Sequence, residues 1–407
     1  MEIHQIILGL FLILISARFF AELFAHIGIP PVLGEVFAGI VIGPSLLNLV
    51  QPNEIIKILA EIGIILLLFE VGMETDLDKL RREGIKSVLL ALAGVVLPFV
   101  LGFAVGYYIF SLPLLVSLFI GGTLTATSIG ITVRVLKDLK AEKSFLAQIV
   151  IGAAVLDDIV GVILLVILAD FAFSGRVDIF HAVKATALVL VFLVAAPLLA
   201  SLLARLIYIY DAKYRRLPGF IPTVVISLIL LFAYIAHIFG APEIVGAFAA
   251  GVALSRSFFV PFAAFLKREE KERFFRDLEP QMKPLIYLFT PIFFVSVGLA
   301  MNLREIDYSS PLFWGLTAIL FLVAFFGKAA GAYLIRGLSH IERLIVGIAM
   351  VPRGEVGLIF AELGRNAKIF ANDIYSALVF VVILTTLLPP FLLKVLYKRY
   401  VQNSEGG

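Results

Sequence analysis

Cysteine is absent from the 407 residues. Its absence excludes disulfides, thiol nucleophiles and cysteine-ligated metal sites. Charge is scarce: only 15% of the residues are Asp, Glu, Lys or Arg, against about 25% in a soluble domain. The net charge is a small +3, and the basic residues lie between apolar runs rather than in one stripe, so nucleic-acid binding is not expected. There are five histidines, His4, His26, His181, His237 and His340. All fall near the ends of apolar segments, and no metal-binding or nucleophile–base pattern is visible. The sequence therefore gives no reason to expect an enzyme, a resident metal or a cofactor.

What it has in excess is apolar surface. Hydrophobic residues make up 61% of the chain and the mean hydropathy is +1.07. No soluble core absorbs that much, so lipid must be the solvent for most of it. With about 20 residues per crossing, about 13 segments reach spanning length. They lie near 3–25, 30–50, 55–73, 85–110, 113–137, 145–171, 180–208, 219–239, 243–258, 282–301, 310–336, 342–364 and 371–397. The first run has no basic n-region and no convincing cleavage site, so it reads as a retained span rather than a signal peptide.

Lys and Arg concentrate after the odd-numbered spans: Lys79, Arg81, Arg82 and Lys86; Lys137, Lys140 and Lys143; Lys213, Arg215 and Arg216; the stretch from Lys267 to Arg276; and Lys394, Lys398 and Arg399. The even loops hold few. Positive charge stays inside, which puts the N-terminus outside and the C-terminus in the cytoplasm of a multi-pass protein of the cell membrane.

The chain also repeats itself. Gly28-Ile29-Pro30-Pro31-Val32-Leu33-Gly34 matches Gly240-Ala241-Pro242-Glu243-Ile244-Val245-Gly246, and the register continues to Gly39 and Gly251. Val71-Gly72-Met73 matches Val297-Gly298-Leu299, and the Gly130 region of span 5 matches the Gly357 region of span 12. One transporter domain, 1–407, is thus expected to contain a first repeat at 1–178, a connector helix at 179–210 and a second repeat at 211–407. Spans 2 and 9 start on opposite sides of the membrane, so the repeats are inverted. Inverted repeats mark secondary transporters, whose sites sit near the midplane between the repeats.

Three segments place chemistry at that depth. Asp157 and Asp158 lie about 20 Å into span 6 by helix rise. Carboxylates there are costly unless paired or hydrated, and mark function. Midway along span 5, Thr125-Ala126-Thr127-Ser128-Ile129-Gly130 is small and hydroxylated. Such a stretch can unwind and offer oxygens to a hard cation, or serve only close helix packing. In span 12, Val351-Pro352-Arg353-Gly354-Glu355 breaks the helix, because proline lacks a donor and glycine weakens the turn. Arg353 is expected near the exposed carbonyls of one half-helix and Glu355 near the free N–H groups of the other. Lys328, inside span 11, either snorkels to the cytoplasmic face or pairs internally with one of the aspartates. Glu35, Glu70 and Glu243 read as gate or end-cap residues.

Together these residues resemble the monovalent cation–proton antiporters, in the branch that holds NapA-type sodium–proton antiporters and Kef-type potassium efflux proteins. The resemblance covers nearly the whole chain. It rests on Pro31-Val32-Leu33-Gly34-Glu35 with Gly39 and Gly43-Pro44, and on Leu68-Phe69-Glu70-Val71-Gly72-Met73-Glu74. It rests further on Ala126-Thr127-Ser128-Ile129-Gly130, Leu156-Asp157-Asp158, Gly327-Lys328 and Pro352-Arg353-Gly354-Glu355. Kef-type proteins usually carry a cytosolic nucleotide-binding domain after the last span; none follows here, so the NapA type is the closer expectation.

The resemblance implies an all-α fold with two crossing broken helices, spans 5 and 12. It implies a homodimer through spans 1–3 and 8–10, and an elevator-like motion of spans 4–6 and 11–13. It also implies roles: Asp158 binding cation or proton, and Asp157 pairing with Lys328. Thr127, whose hydroxyl sits at the expected break, is a further expected Na+ ligand. Thr125, Ser128, Arg353 and Glu355 would support the broken helices. The function expected is electrogenic exchange of Na+ or Li+ for H+, both as transported substrates. The alternatives are K+/H+ exchange on the same fold, a sodium-coupled organic-anion symporter and a cation channel.

Overall fold

A computed structural model describes residues 3–74, 77–174, 219–255, 268–306 and 308–405, with scattered positions between 183 and 206. All regular structure among the described residues is helical. The first stretch holds α1 (Ile3–His26), α2 (Pro31–Ile42), α3 (Glu54–Glu74) and α4 (Leu77–Ala104), which runs on into a π-helical turn. Next come α5 (Leu114–Thr125), α6 (Ile129–Asp138) and α7 (Phe145–Ser174). The later stretch holds α8 (Phe220–Ile238), α9 (Glu243–Ala253), α10 (Arg268–Ala300) and α11 (Pro311–Ala330). It closes with α12 (His340–Ala349), α13 (Gly354–Asn366) and α14 (Asn372–Glu405).

Eight stretches among the described residues are long and apolar enough to cross a bilayer. The outward faces of α1, α4 and α11 carry Phe11, Phe19, Val96, Val100, Leu322 and Phe326, all half-exposed or more. Such faces suit lipid, not water. The expected spans 2 and 9 are shorter helices of 12 and 11 residues. The expected span at 180–208, and the charged stretches around 211–218 and 256–267, lie wholly or mostly outside the described residues.

The chain separates into two compact units. One comprises Met1–Asn53, Glu83–Ala182 and Phe294–Gly407; the other comprises Glu54–Arg82 and Val183–Phe293. In the first, α14 packs along α11, α12 and α13, while α5 and α6 lie against α7 and α1 lies along α2. In the second, α9 packs on α3 and α8.

Glycine contacts show why the sequence repeats. In the first unit a Cβ on Gly34 would strike the Phe20 carbonyl of α1; in the second, a Cβ on Gly246 would strike the Phe232 carbonyl of α8. Gly39 packs on Val295 and Gly298 of the α10 backbone, and Gly251 packs on Phe69 and Gly72 of α3. These are the positions that the two aligned motifs pair. Helices that must approach backbone to backbone need a residue without a side chain, as is common between membrane helices.

Gly251→Val should therefore lower stability by about 1–3 kcal/mol or more through overpacking, read as a lower melting temperature in detergent. Gly84→Ala, where a Cβ meets nothing within 4 Å, should stay within about 0.5 kcal/mol. Equal melting of the two variants would contradict the close-approach account.

Candidate functional site

Two chain breaks cross inside the first unit. Span 5 is interrupted over residues 126–128, where Ala126 (φ −58°, ψ 141°) and Ser128 (φ −87°, ψ 100°) are extended. Span 12 is interrupted over 350–353. The Ser128 N–H donates to the Pro352 carbonyl at 2.7 Å, joining one break to the other. Gly354 resumes the second helix at φ +58°, and a Cβ there would come within 2.7 Å of the Ser128 Oγ. Both its left-handed backbone and its lack of a side chain are needed at the crossing.

Each break leaves helix ends whose carbonyl and N–H groups lack helical partners, and lipid offers none. The side chains present fill that need. At the end of α12, the Thr132 hydroxyl donates to the Ala349 carbonyl at 2.7 Å and the Thr127 hydroxyl to the Met350 carbonyl at 3.1 Å. At the start of α13, the Gly354 N–H donates to the Thr386 hydroxyl at 3.1 Å. At the end of α5, Arg353 donates to the Leu124 carbonyl and to the Ala126 carbonyl at 3.1 Å, and reaches the Ala324 carbonyl of α11 at 2.9 Å. Arg353 thus serves the half-helix of the other broken span. It stands at the N-terminal end of α13, the positive pole of its own helix, while the negative pole of α5 lies across the crossing.

Lys328 is fully buried, so the snorkelling reading does not hold. Its ammonium donates to the Thr125 carbonyl and to Asp157 Oδ2, the latter at 2.7 Å. A carboxylate and an ammonium this deep are affordable only together. Asp157 Oδ1 has no hydrogen-bond partner among the described residues. Asp158, the next residue on α7, is buried as well and points about 100° away around the helix.

The structure thus gathers Asp157, Lys328, Thr125, Thr127, Ser128 and Arg353 at one buried crossing: Lys328 joins Asp157 to Thr125 directly, while Thr127, Ser128 and Arg353 bond to carbonyls at and beside the two breaks, and Asp158 follows Asp157 on α7. The Thr125 hydroxyl turns back to the Gly122 carbonyl at 2.7 Å, so this residue meets Lys328 through its backbone. Glu355 belongs to α13, and its side chain lies outside the described residues. Thr132 and Thr386 were not singled out by the sequence reading. The signal was present in principle: each is a hydroxyl on an otherwise apolar helical face. No described group of three or more His, Cys, Asp or Glu residues is arranged to hold a resident metal ion.

A buried cation–carboxylate pair at crossed helix breaks in an all-helical, multi-pass membrane protein defines an ion-coupled secondary transporter. Residues 10–399 match the model of the sodium/hydrogen exchanger transmembrane family, and the chain belongs to that family. The high-affinity Na+/H+ antiporter NhaS3 of Synechocystis sp. is 31% identical over 97% of this chain and 90% of its own length. The Na+/H+-K+ antiporter GerN of Bacillus cereus is 33% identical over 94% of each chain. The solved structure of the sodium proton antiporter MjNhaP1 from Methanocaldococcus jannaschii at pH 8 shares the fold: TM-score 0.69, 19% identity, 97% of each chain covered.

Replacing Arg353 by Met should leave three buried carbonyls without their charged donor. A loss of roughly 3 kcal/mol is expected, seen as a lower melting temperature in detergent at unchanged expression. A melting temperature equal to wild type would contradict the capping role.

Proposed function

We propose that this chain is a secondary antiporter that exchanges Na+ or Li+ for H+ across the cell membrane, with its N-terminus outside and its C-terminus in the cytoplasm. The observation that carries this reading is the buried Lys328–Asp157 pair at the crossing, with Asp158 next to it. Membership of the exchanger family and the Na+/H+ antiport named for its relatives support it. In this reading Asp158 is the exchange site and Thr127 supplies an oxygen to the ion, while Thr125, Ser128, Arg353 and Glu355 hold the broken helices. The transported ions are substrates, and no cofactor is involved.

The mechanism is competition at one carboxylate. Asp158 holds either a proton or a sodium ion, and either one neutralises it. A neutral site crosses the low-dielectric barrier at lower cost than a charged one, so the empty carrier stays put and the two ions are exchanged. Alternating access is elevator-like, within a homodimer built through spans 1–3 and 8–10. The two inverted repeats are 1–178 and 211–407, joined by a connector at 179–210. Sodium at Asp158 favours release of Asp157 from its pair, and Lys328 then gives up a proton. Two protons move per sodium, which makes the cycle electrogenic. A second reading, K+/H+ exchange on the same site, is favoured by the K+ in the name of GerN.

In liposomes carrying a pH-reporting dye, addition of Na+ or Li+ should move protons, and Asp158→Asn should abolish the response. Full cation-dependent proton movement in that variant would remove Asp158 from the role, and a response to K+ alone would select the second reading. Lys328→Gln should keep exchange but lose its dependence on a clamped membrane potential. Wild-type exchange that ignores the potential would return Lys328 to a purely structural partnership.

A further inference from the structure

A second ionic cluster sits away from the crossing, where α1 hands over to α2. The Glu35 side chain on α2 is almost wholly buried, and Arg134 approaches its Oε1 to 3.6 Å from α6. The other oxygen, Oε2, is buried with no hydrogen-bond partner among the described residues. One turn further along α6, Asp138 pairs with Arg134 Nε at 3.5 Å and sits beside the backbone N–H of Val32. That N–H belongs to the first turn of α2, whose N-cap, Pro30, offers no side-chain cap of its own. Asp138 therefore faces the first turn of a helix to which it does not belong. Beside it lies a cavity of about 210 Å³, lined by Ile29, Pro31, Val135, Asp138, Leu139 and Lys394 of α14.

Two contacts thus fasten α6 to α2, and both run through α6. That helix is the second half of broken span 5 and begins directly after the extended residues at the crossing. Arg134 is five residues beyond Ile129, the first residue of α6, about one and a half helical turns, so a shift of α6 at the cluster is a shift at the break. An ionised carboxylate as buried as Glu35 is costly without its counter-charge.

We propose that Glu35, Arg134 and Asp138 are positioning residues for exchange, forming a latch between α2 and α6 that opens and re-forms in each transport cycle. None of the three touches the transported ion at Asp158. They act through the placement of α6, and the cavity beside Asp138 is the space into which the latch opens. On the orientation proposed above, this is the cytoplasmic end of both helices. The inference rests on the exchange reading for its link to transport, but the latch itself can be tested without transport.

The native chain has no cysteine, so single and paired cysteines report cleanly. With Ile29→Cys, two residues before α2, and Leu139→Cys, directly after α6, in one chain, a short bifunctional thiosulfonate should tie the start of α2 to the end of α6 across the cavity. Na+-dependent proton movement in liposomes should then fall by roughly tenfold or more and return on reduction. Exchange that continues at the reduced protein's rate while the crosslink is complete would overturn the latch. Absence of exchange in the reduced protein as well would count against the exchange reading instead.

The second measurement needs no transport. In detergent, maleimide labelling of a lone Leu139→Cys should speed up by roughly tenfold when Glu35→Gln or Arg134→Gln is added. The two changes together should add little to either one, because they cut the same contact. Unchanged labelling in both variants, or fully additive effects, would overturn the proposal.

Discussion

Four helix ends meet inside this membrane protein, and lipid can satisfy none of them. That constraint organises the rest of the site. Backbone groups freed where spans 5 and 12 stop need partners within the protein, and here the partners are hydroxyls, an arginine, a lysine and, between Ser128 and Pro352, the backbone of the other break. The two cations answer the carbonyl ends of α5; the hydroxyls of Thr127 and Thr132 answer those of α12; Thr386 answers the N–H end of α13. The charges at the crossing are thus part of how the broken helices exist at all. Lys328 has a foot in each role: it ties down the Thr125 carbonyl and also neutralises Asp157.

This double duty bears on how the ion pair can work. A lysine held only by Asp157 would be free to leave it. Held also by a backbone carbonyl, the ammonium keeps its place when the carboxylate changes partner, and so a change at the aspartates need not collapse the break. Arg353 provides the same insurance from the other side, since it binds three carbonyls from two helices and does not depend on the state of the aspartates for its position.

Much of this was legible in the sequence, for physical reasons that differ from residue to residue. The spans follow from apolar length, and the breaks follow from Pro352, Gly354 and the small hydroxylated stretch at 125–128. Asp157 and Lys328 announce themselves because lone charges cannot be left in lipid, so each demands the other. The paired glycines were readable because glycine is required where backbones touch. Other features were not readable. The sequence sent Arg353 to a half-helix end without saying which; only the crossing shows that it is α5. Thr132 and Thr386 look like ordinary buried threonines until the carbonyl or N–H facing each is known. Arg134 lies four residues beyond the small stretch that drew attention in span 5, and its partner on α2 is fixed by the packing of helices distant in sequence. Spans 2 and 9 came out shorter than their apolar runs: α2 stops at Ile42 although the turn that follows includes Leu46 and Leu47, and α9 stops at Ala253.

The glycine contacts carry a consequence for biosynthesis. Gly39, made early, finds its backbone partner only when Val295 and Gly298 have been made, and Gly72 waits for Gly251. Roughly three-fifths of the chain must leave the ribosome before the first repeat can close any of these contacts. Until then, spans 2 and 3 present bare backbone grooves to lipid or to any chaperone that binds them. Insertion of the early helices and their assembly are therefore separate events in time, and the first half of the chain is a folding intermediate by construction rather than a finished module.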